Sequence, residues 1–224
     1  MITKIKNTIF KNKQYIIIFI FLVIFAIIAR SVFRKELIIY DELAKKILVD
    51  NLRSDKLTLL MKIITSFGNG LILVLLCLLS FLLFHDKKIG VLVSLNLIFI
   101  TVLNNILKLI IQRPRPSGFN LIIEGGYSFP SGHSMVSTAF YGFLIYLLYK
   151  KIKNKNLRTV LCLLLSILII LICISRVYLG VHYASDVIGG FFVSLSYLIV
   201  YIMIIPRIVK IIDKKAKHSV NIML

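Results

Sequence analysis

The stretch that decides the fold and the site runs from Ser175 to Asp186 and reads Ser-Arg-Val-Tyr-Leu-Gly-Val-His-Tyr-Ala-Ser-Asp. It separates two long apolar segments, so its polar residues lie where a membrane helix should end. A helix beginning near Val181 would stack His182 and Asp186, four residues apart, on one face. A carboxylate that holds one ring nitrogen leaves the other free as a base or nucleophile. The alternative is a polar helix end that contacts lipid headgroups.

The composition of the chain indicates a membrane protein. Of its 224 residues, 59% are hydrophobic and 17% are charged, and the mean hydropathy is +0.95. An ordinary soluble domain of this size is far less apolar, so we predict one integral membrane domain over residues 1–224. Anionic headgroups account for the formal net charge of +19 without a nucleic-acid partner. The three cysteines lie in apolar runs and predict neither a disulfide framework nor a metal site.

Hydrophobic periodicity predicts an all-α fold, a six-helix transmembrane bundle. The predicted spans cover about residues 16–33, 63–84, 89–111, 132–149, 159–174 and 186–205. Residues 34–62 have apolar positions at helical spacing, beginning with Leu37 and Ile38, and predict an amphipathic helix in the membrane interface. The stretch from Ser66 to Gly70 breaks the second span, either as a packing notch against a neighbouring helix or as the lining of a polar site.

The charge distribution predicts a plasma-membrane protein with both termini in the cytoplasm. One side of the predicted bundle has the basic N-terminal tail, the turns after the second and fourth spans and the C-terminal tail. Only two of the nine acids, Asp86 and Asp213, lie on that side, and the other seven lie on the opposite side. The positive-inside rule predicts that the basic side is cytoplasmic. His85 and His218 are predicted on that cytoplasmic side. The loops after the third and fifth spans then share the extracytoplasmic face.

The loop after the third span begins with a basic cluster. It reads Lys-Leu-Ile-Ile-Gln-Arg-Pro-Arg-Pro over residues 108–116, and its prolines end the helix. Such a cluster usually contacts lipid headgroups. On the outer face, however, the positive-inside rule disfavours idle cations. We therefore predict that Lys108, Arg113 and Arg115 converge on a bound anion.

The same loop ends with Ser-Phe-Pro-Ser-Gly-His over residues 128–133 and runs directly into the fourth span. Gly132 lets the backbone approach a ligand, and amides at a helix N-terminus favour anions. Alone, Ser131 predicts a helix N-cap and His133 an interfacial histidine. His133 becomes a candidate for catalysis because His182 is the other histidine predicted on that face.

Together these residues predict phosphoryl transfer. The candidate anion-binding residues are Lys108, Arg115, Ser131, Gly132 and Arg176, and the candidate catalytic residues are His133, His182 and Asp186. Fixed cations and amides stabilise charge that spreads over phosphoryl oxygens. One histidine can attack phosphorus while the carboxylate orients it, and the other can protonate the leaving oxygen. Water would then cleave the phosphohistidine.

Three separated motifs resemble the signature of the type 2 phosphatidic acid phosphatase (PAP2) superfamily. They are Lys-x6-Arg-Pro at 108–116, Pro-Ser-Gly-His at 130–133 and Ser-Arg-x5-His-x3-Asp at 175–186. The resemblance covers about residues 15–205 and implies a membrane lipid phosphatase that works without a metal or another cofactor. It also implies that His133 is the general acid, that Asp186 supports the nucleophile His182, and that the five candidate anion-binding residues hold the phosphate. Arg113 is not a signature position.

The substrate implied by the resemblance is a lipid phosphate or diphosphate whose headgroup lies at the outer membrane face. The short chain and its compact first outer loop favour undecaprenyl diphosphate over phosphatidylglycerol phosphate or phosphatidic acid. A vanadate-dependent haloperoxidase could use a similar pocket, but six spans argue against it. A non-catalytic lipid-binding or transport protein would need the cations but not the histidine–carboxylate pair. The sequence predicts no oligomeric state.

Overall fold

The fold is given by a computed structural model that describes residues 2–36, 39–84 and 86–223. Leu37 and Ile38 of the predicted interfacial helix, and His85, lie outside the described residues, as do the side chains at 2–11, 212 and 214–223. The helices are α1 (Ile2–Phe33), α2 (Ile39–Lys45), a π-helical turn (Lys46–Asn51), α3 (Asp55–Ser66), α4 (Gly70–Leu83), α5 (Lys87–Ile111), α6 (Gly132–Lys151), α7 (Lys155–Tyr178) and α8 (Ala184–Met223). The all-α prediction is confirmed.

Four helical segments among the described residues are long and apolar enough to cross a membrane. They are Asn12–Phe33, Lys87–Ile111, Lys155–Tyr178 and Ala184–Ile211, and α3 with α4 adds a fifth if that bent pair is one span. The predicted count of six is thus not confirmed, because α6 falls outside this set. The reason is its polarity: α6 buries Ser134, Ser137 and Thr138 against protein, packed among α5, α7 and α8.

The predicted boundary between the interfacial helix and the second span is wrong. Residues 55–62, assigned to the interfacial helix, belong to α3, which begins where Ser54 Oγ accepts from the Leu57 amide at 3.4 Å. The axes of α3 and α4 differ by 48° across the break after Ser66. Apolar periodicity alone cannot separate an interfacial helix from the outer half of a bent span. Only α2 and the π-helical turn remain between α1 and α3.

Hydrogen bonds across the bundle hold α5, α6 and α8 in fixed positions. Asn96 on α5 donates to the Ala139 carbonyl of α6 at 2.9 Å, and the Tyr201 hydroxyl of α8 donates to the Leu92 carbonyl of α5 at 2.6 Å. Such bonds matter inside a membrane because no water is present to satisfy buried polar groups. The helix ends that bear the signature residues are therefore positioned by a rigid frame.

Candidate active site

The three signature segments meet at one end of the bundle. Two backbone bonds tie the loop between α5 and α6 to its neighbours: Leu121 N donates to Leu179 O, just after α7, at 2.9 Å, and Ser131 N donates to Asp186 O, in the first turn of α8, at 3.0 Å. The fifth span was predicted to end near residue 174, but α7 continues to Tyr178. Arg176 therefore projects from a helix rather than from a loop.

The predicted pair of His182 and Asp186 forms, although the helix begins later than expected. α8 begins at Ala184 rather than near Val181, and His182 Nδ1 lies 3.4 Å from Asp186 Oδ2. The same oxygen accepts hydrogen bonds from Ser128 Oγ at 2.5 Å and from the Tyr183 amide at 2.8 Å. The carboxylate is fully buried in the first turn of α8, where the helix dipole favours negative charge.

The other nitrogen of the His182 ring faces a cation. Arg115 Nη1 lies 3.1 Å from His182 Nε2, and since a guanidinium can only donate, Nε2 accepts and the ring proton is on Nδ1. Burial lowers the pKa of His182 to about 4, and the nearby Arg176 and Arg115 add to the effect. The imidazole is therefore neutral at pH 7, with its lone pair directed at the cations.

Arg115 is held by carbonyl groups of the surrounding loops. It donates to Gly125 O at 2.7 Å, to Gly126 O at 3.1 Å and to Val181 O at 3.0 Å. These bonds fix the plane of the guanidinium without neutralising it. A fixed cation beside an imidazole lone pair is suited to bind an anion there.

Arg176 is completely buried and is engaged by a residue that the sequence analysis did not select. Its Nη1 donates to Thr65 Oγ1 at 2.6 Å and its Nη2 to Glu124 Oε1 at 2.5 Å, while Nε has no partner among the described residues. Burial of Glu124 opposes its ionisation, but the ion pair and hydrogen bond with Arg176, together with the nearby His133 and Arg115, outweigh burial and lower the pKa of Glu124. In the described chain this carboxylate contacts the guanidinium where the resemblance implies a phosphate.

The start of α6 only partly matches the predicted anion site. The Ser131 amide already donates to Asp186 O, and Ser131 Oγ caps the helix by accepting from the Ser134 amide at 3.4 Å. Gly132 is needed for space, because a Cβ there would lie 3.2 Å from Asn104 Oδ1 and 3.9 Å from Lys108 Cε. The Lys108 ammonium donates to the backbone carbonyl of Tyr127 in the α5–α6 loop.

His133 lies on the first turn of α6, within electrostatic range of Arg176, Glu124, His182 and Arg115. It packs against the break between α3 and α4: a Cβ at Gly68 would approach His133 Cδ2 to 2.8 Å. The break was predicted to be either a packing notch or the lining of a polar site. It is a close contact with the candidate general acid.

Arg113, which the signature does not include, contacts the candidate catalytic carboxylate directly. Its Nη1 lies 2.6 Å from Asp186 Oδ1, and its Nη2 lies 2.9 Å from Oδ2 of Asp41 on α2. Asp41 is buried and accepts from the Ser185 amide at 2.7 Å. The guanidinium also covers the Tyr183 ring at 3.9 Å. Arg113 thus points to two carboxylates, away from Arg115, and does not join the predicted cluster of three convergent cations.

The comparison with protein families identifies the class. Residues 89–210 match the model of the PAP2 superfamily, which covers more than half of the chain, so the chain belongs to this superfamily. Phosphatidylglycerophosphatase B of Bacillus subtilis (strain 168) is 39% identical over 121 residues, 52% of this chain and 54% of that protein. Dolichyldiphosphatase of Saccharomyces cerevisiae is 32% identical over 130 residues, 55% of this chain and 54% of that protein. The matched region spans about half the length of these relatives.

Two solved structures share the fold. The crystal structure of a transmembrane PAP2-type phosphatidylglycerolphosphate phosphatase from Bacillus subtilis aligns with 91% of this chain and 97% of that chain, with a TM-score of 0.72 and 30% identity. The crystal structure of Aquifex aeolicus LpxE aligns with 75% of this chain and 94% of that chain, with a TM-score of 0.58 and 26% identity. The resemblance drawn from the three motifs is confirmed, and the chain is a multi-pass, all-helical membrane protein.

Proposed function

We propose that this protein hydrolyses the terminal phosphate of a membrane lipid through a phosphohistidine on His182. One observation carries the proposal: the proton of the buried imidazole is on Nδ1 beside Asp186, so the lone pair of Nε2 faces Arg115 at 3.1 Å. A structural histidine has no need for a carboxylate on one nitrogen and a cation on the other. A nucleophile that attacks a phosphate needs both.

In the first step, the phosphate enters between Arg115 and Arg176 and displaces the Glu124 carboxylate from the latter. His182 Nε2 then bonds to phosphorus while the bond from phosphorus to the leaving oxygen breaks. The negative charge of the bound phosphate offsets burial and Arg176 and keeps His133 protonated in the complex. His133 gives this proton to that oxygen, which leaves as an alcohol or, from a diphosphate, as a lipid monophosphate. Asp186 stabilises the imidazolium character that develops on His182.

In the second step, water attacks the phosphohistidine. His133, now neutral, accepts a proton from the water as the new oxygen–phosphorus bond forms and the nitrogen–phosphorus bond breaks. Inorganic phosphate leaves and both histidines return to their initial states. Throughout, Lys108, Arg115 and Arg176 supply the positive charge that stabilises the equatorial oxygens. This donor set suits a phosphate without a metal ion.

For the substrate, we favour a glycerophospholipid monophosphate of the phosphatidylglycerophosphate type. The similarity to a curated sequence and to a solved structure from Bacillus subtilis, both named for that activity, supports this choice. The sequence-based preference for undecaprenyl diphosphate has separate support from the similarity to a dolichyldiphosphatase, whose name denotes a polyprenyl diphosphate. Phosphate release from both lipids, compared at equal concentration, ranks the two candidates.

The proposal is tested with purified protein in detergent containing a chelator. We expect His182→Ala to abolish phosphate release and to form no phosphoenzyme. His133→Ala should retain attack on para-nitrophenyl phosphate, whose leaving group needs no acid, and should accumulate acid-labile, base-stable phosphoenzyme because its second step is slow. Retained turnover in His182→Ala would overturn the assignment of the nucleophile.

We also propose that the site faces the outside of the cell and that both termini face the cytoplasm. In a variant with all three cysteines replaced by serine, Ser117→Cys in the exposed α5–α6 loop should react with a membrane-impermeant maleimide on intact cells. Lys153→Cys, in the exposed turn between α6 and α7, is the matched control and should react only after the membrane is opened. The reverse pattern would invert the topology.

A further inference from the structure

An apolar groove of about 390 Å³ lies between α7 and α8. All of its lining side chains are apolar and come from residues 170–177 of α7, residues 184–192 of α8, and Ala44 and Leu48, which cover it from α2 and the π-helical turn. Ile170 is 53% exposed and Ile188 is 38% exposed, so the groove opens toward the lipid-facing surface of the two helices. It is suited to a hydrocarbon chain.

The groove begins at the candidate active site. Ala184 lies in its wall and is two residues from both His182 and Asp186. Val177 lines the groove on one side and, on the other, a narrow cleft that reaches His182 and Asp41. A phosphate held beside His182 would therefore have the attached chain pointing into the groove.

The dimensions of the groove fit a linear segment of chain. Its lining residues span seven to eight positions on each helix, which corresponds to about 10–12 Å at the helical rise per residue. A second cavity, of about 430 Å³, lies at the ends of α1 and α5, but Lys35, Glu36 and Gln112 contribute to its wall. Charged and amide groups in that wall disfavour hydrocarbon, so the two cavities are not equivalent.

We propose that the groove between α7 and α8 binds the hydrocarbon chain of the lipid whose phosphate is hydrolysed. The inference rests on the phosphatase function proposed above. It assigns recognition of the first segment of the chain, nearest the phosphate, to apolar residues of α7 and α8. Ile174 lies close to the active site and Ile170 lies at the far end of the α7 wall, so the two positions measure different lengths of chain.

The test uses alkyl monophosphates of two to eight carbons, below their micelle concentrations. For the unmodified protein we expect kcat/KM to rise with chain length by up to about fourfold per methylene, the value of burying one such group. Ile170→Trp should stop this rise at intermediate length, and Ile174→Trp should stop it earlier. Ile167→Trp is the matched control: Ile167 is 51% exposed on the same helix, outside the groove, and this variant should keep the full rise.

The outcomes separate the two proposals. Equal kcat/KM for the two-carbon substrate in all four proteins shows that the catalytic centre is intact in each. A length profile that neither groove variant alters would overturn the groove assignment and leave the phosphatase intact. If the unmodified protein released no phosphate from any substrate, including the two candidate lipids, the proposed function would fail and the groove assignment with it.

Discussion

Replacing Asp186 by Asn removes one charge from the candidate site while keeping its shape. Asp186 Oδ2 accepts from Ser128 and from the Tyr183 amide and faces His182, whereas Oδ1 accepts from Arg113. The amide oxygen of an asparagine must therefore take the Oδ2 position, and its NH₂ group must face Arg113. The ring proton of His182 then stays on Nδ1, so the loss comes from the charge and from the lost acceptor for Arg113, and not from the tautomer.

The size of that loss follows from the distance. A carboxylate 3.4 Å from His182 Nδ1 stabilises a full imidazolium by up to about 5 kcal/mol at an effective dielectric constant near 20. This corresponds to a fall in kcat of roughly 10³- to 10⁴-fold for Asp186→Asn. Ser128→Ala is the comparison, because it leaves the charge and removes one donor to the same oxygen, together with the 3.2 Å contact between Ser128 Oγ and His182 Nδ1. It should cost roughly 10- to 100-fold, the value of one hydrogen bond to a charged group.

Both variants are measured by steady-state phosphate release in detergent, with circular dichroism and thermal unfolding to show that the fold is retained. The reasoning is refuted if folded Asp186→Asn keeps kcat within tenfold of the unmodified protein. It is also refuted if Ser128→Ala loses as much activity as Asp186→Asn, since the effect would then come from geometry shared by the two variants.

Three further predictions concern packing, charge and pH. Gly68→Ala should lower kcat at least tenfold, because the new methyl group overlaps the His133 imidazole on α6. Gly70→Ala is the control, because a Cβ there has nothing within 4 Å, and its kcat should match that of the unmodified protein. Equal losses of kcat in the two variants would contradict this. Arg113→Met leaves the buried carboxylates of Asp41 and Asp186 without their cation and should lower the free energy of unfolding by about 3–5 kcal/mol. Arg158→Met, at a peripheral arginine, is the control and should lower it by less than about 1 kcal/mol. Both variants are measured by thermal unfolding in detergent. Attack on phosphorus requires a neutral imidazole, and burial lowers the pKa of His182 to about 4. The value of kcat/KM should therefore fall as the pH is lowered, with a midpoint near pH 4. A midpoint near pH 6.5 assigned to His182 would contradict the argument from burial.

The sequence predicted the fold class and the close pair of His182 and Asp186, because both follow from local patterns. Apolar runs of membrane length indicate helices. The pair forms by a different route from the one predicted, because His182 precedes α8 and the turn closes where Asp186 Oδ2 accepts from the Tyr183 amide. The three motifs could be placed on one face because consecutive spans alternate direction.

The partners of these residues could not be predicted, because they come from distant parts of the chain. Glu124 reaches Arg176 across 52 positions and Asp41 reaches Arg113 across 72, and no periodic pattern encodes such contacts. The predicted count of six spans is not confirmed for a related reason. α6 is surrounded by helices, so protein rather than lipid determines its composition, and hydropathy alone does not identify it as a span.

The bridge from Asp41 through Arg113 to Asp186 connects a short helix near the start of the chain to the candidate active site. Chimeras that exchange residues 39–51 between superfamily members would therefore change turnover even though no signature residue is touched. A transplanted segment would preserve activity only if it brought its own acid to the position of Asp41. The segment between the first two spans is thus a place where evolution or engineering can adjust the nucleophile from a distance in sequence.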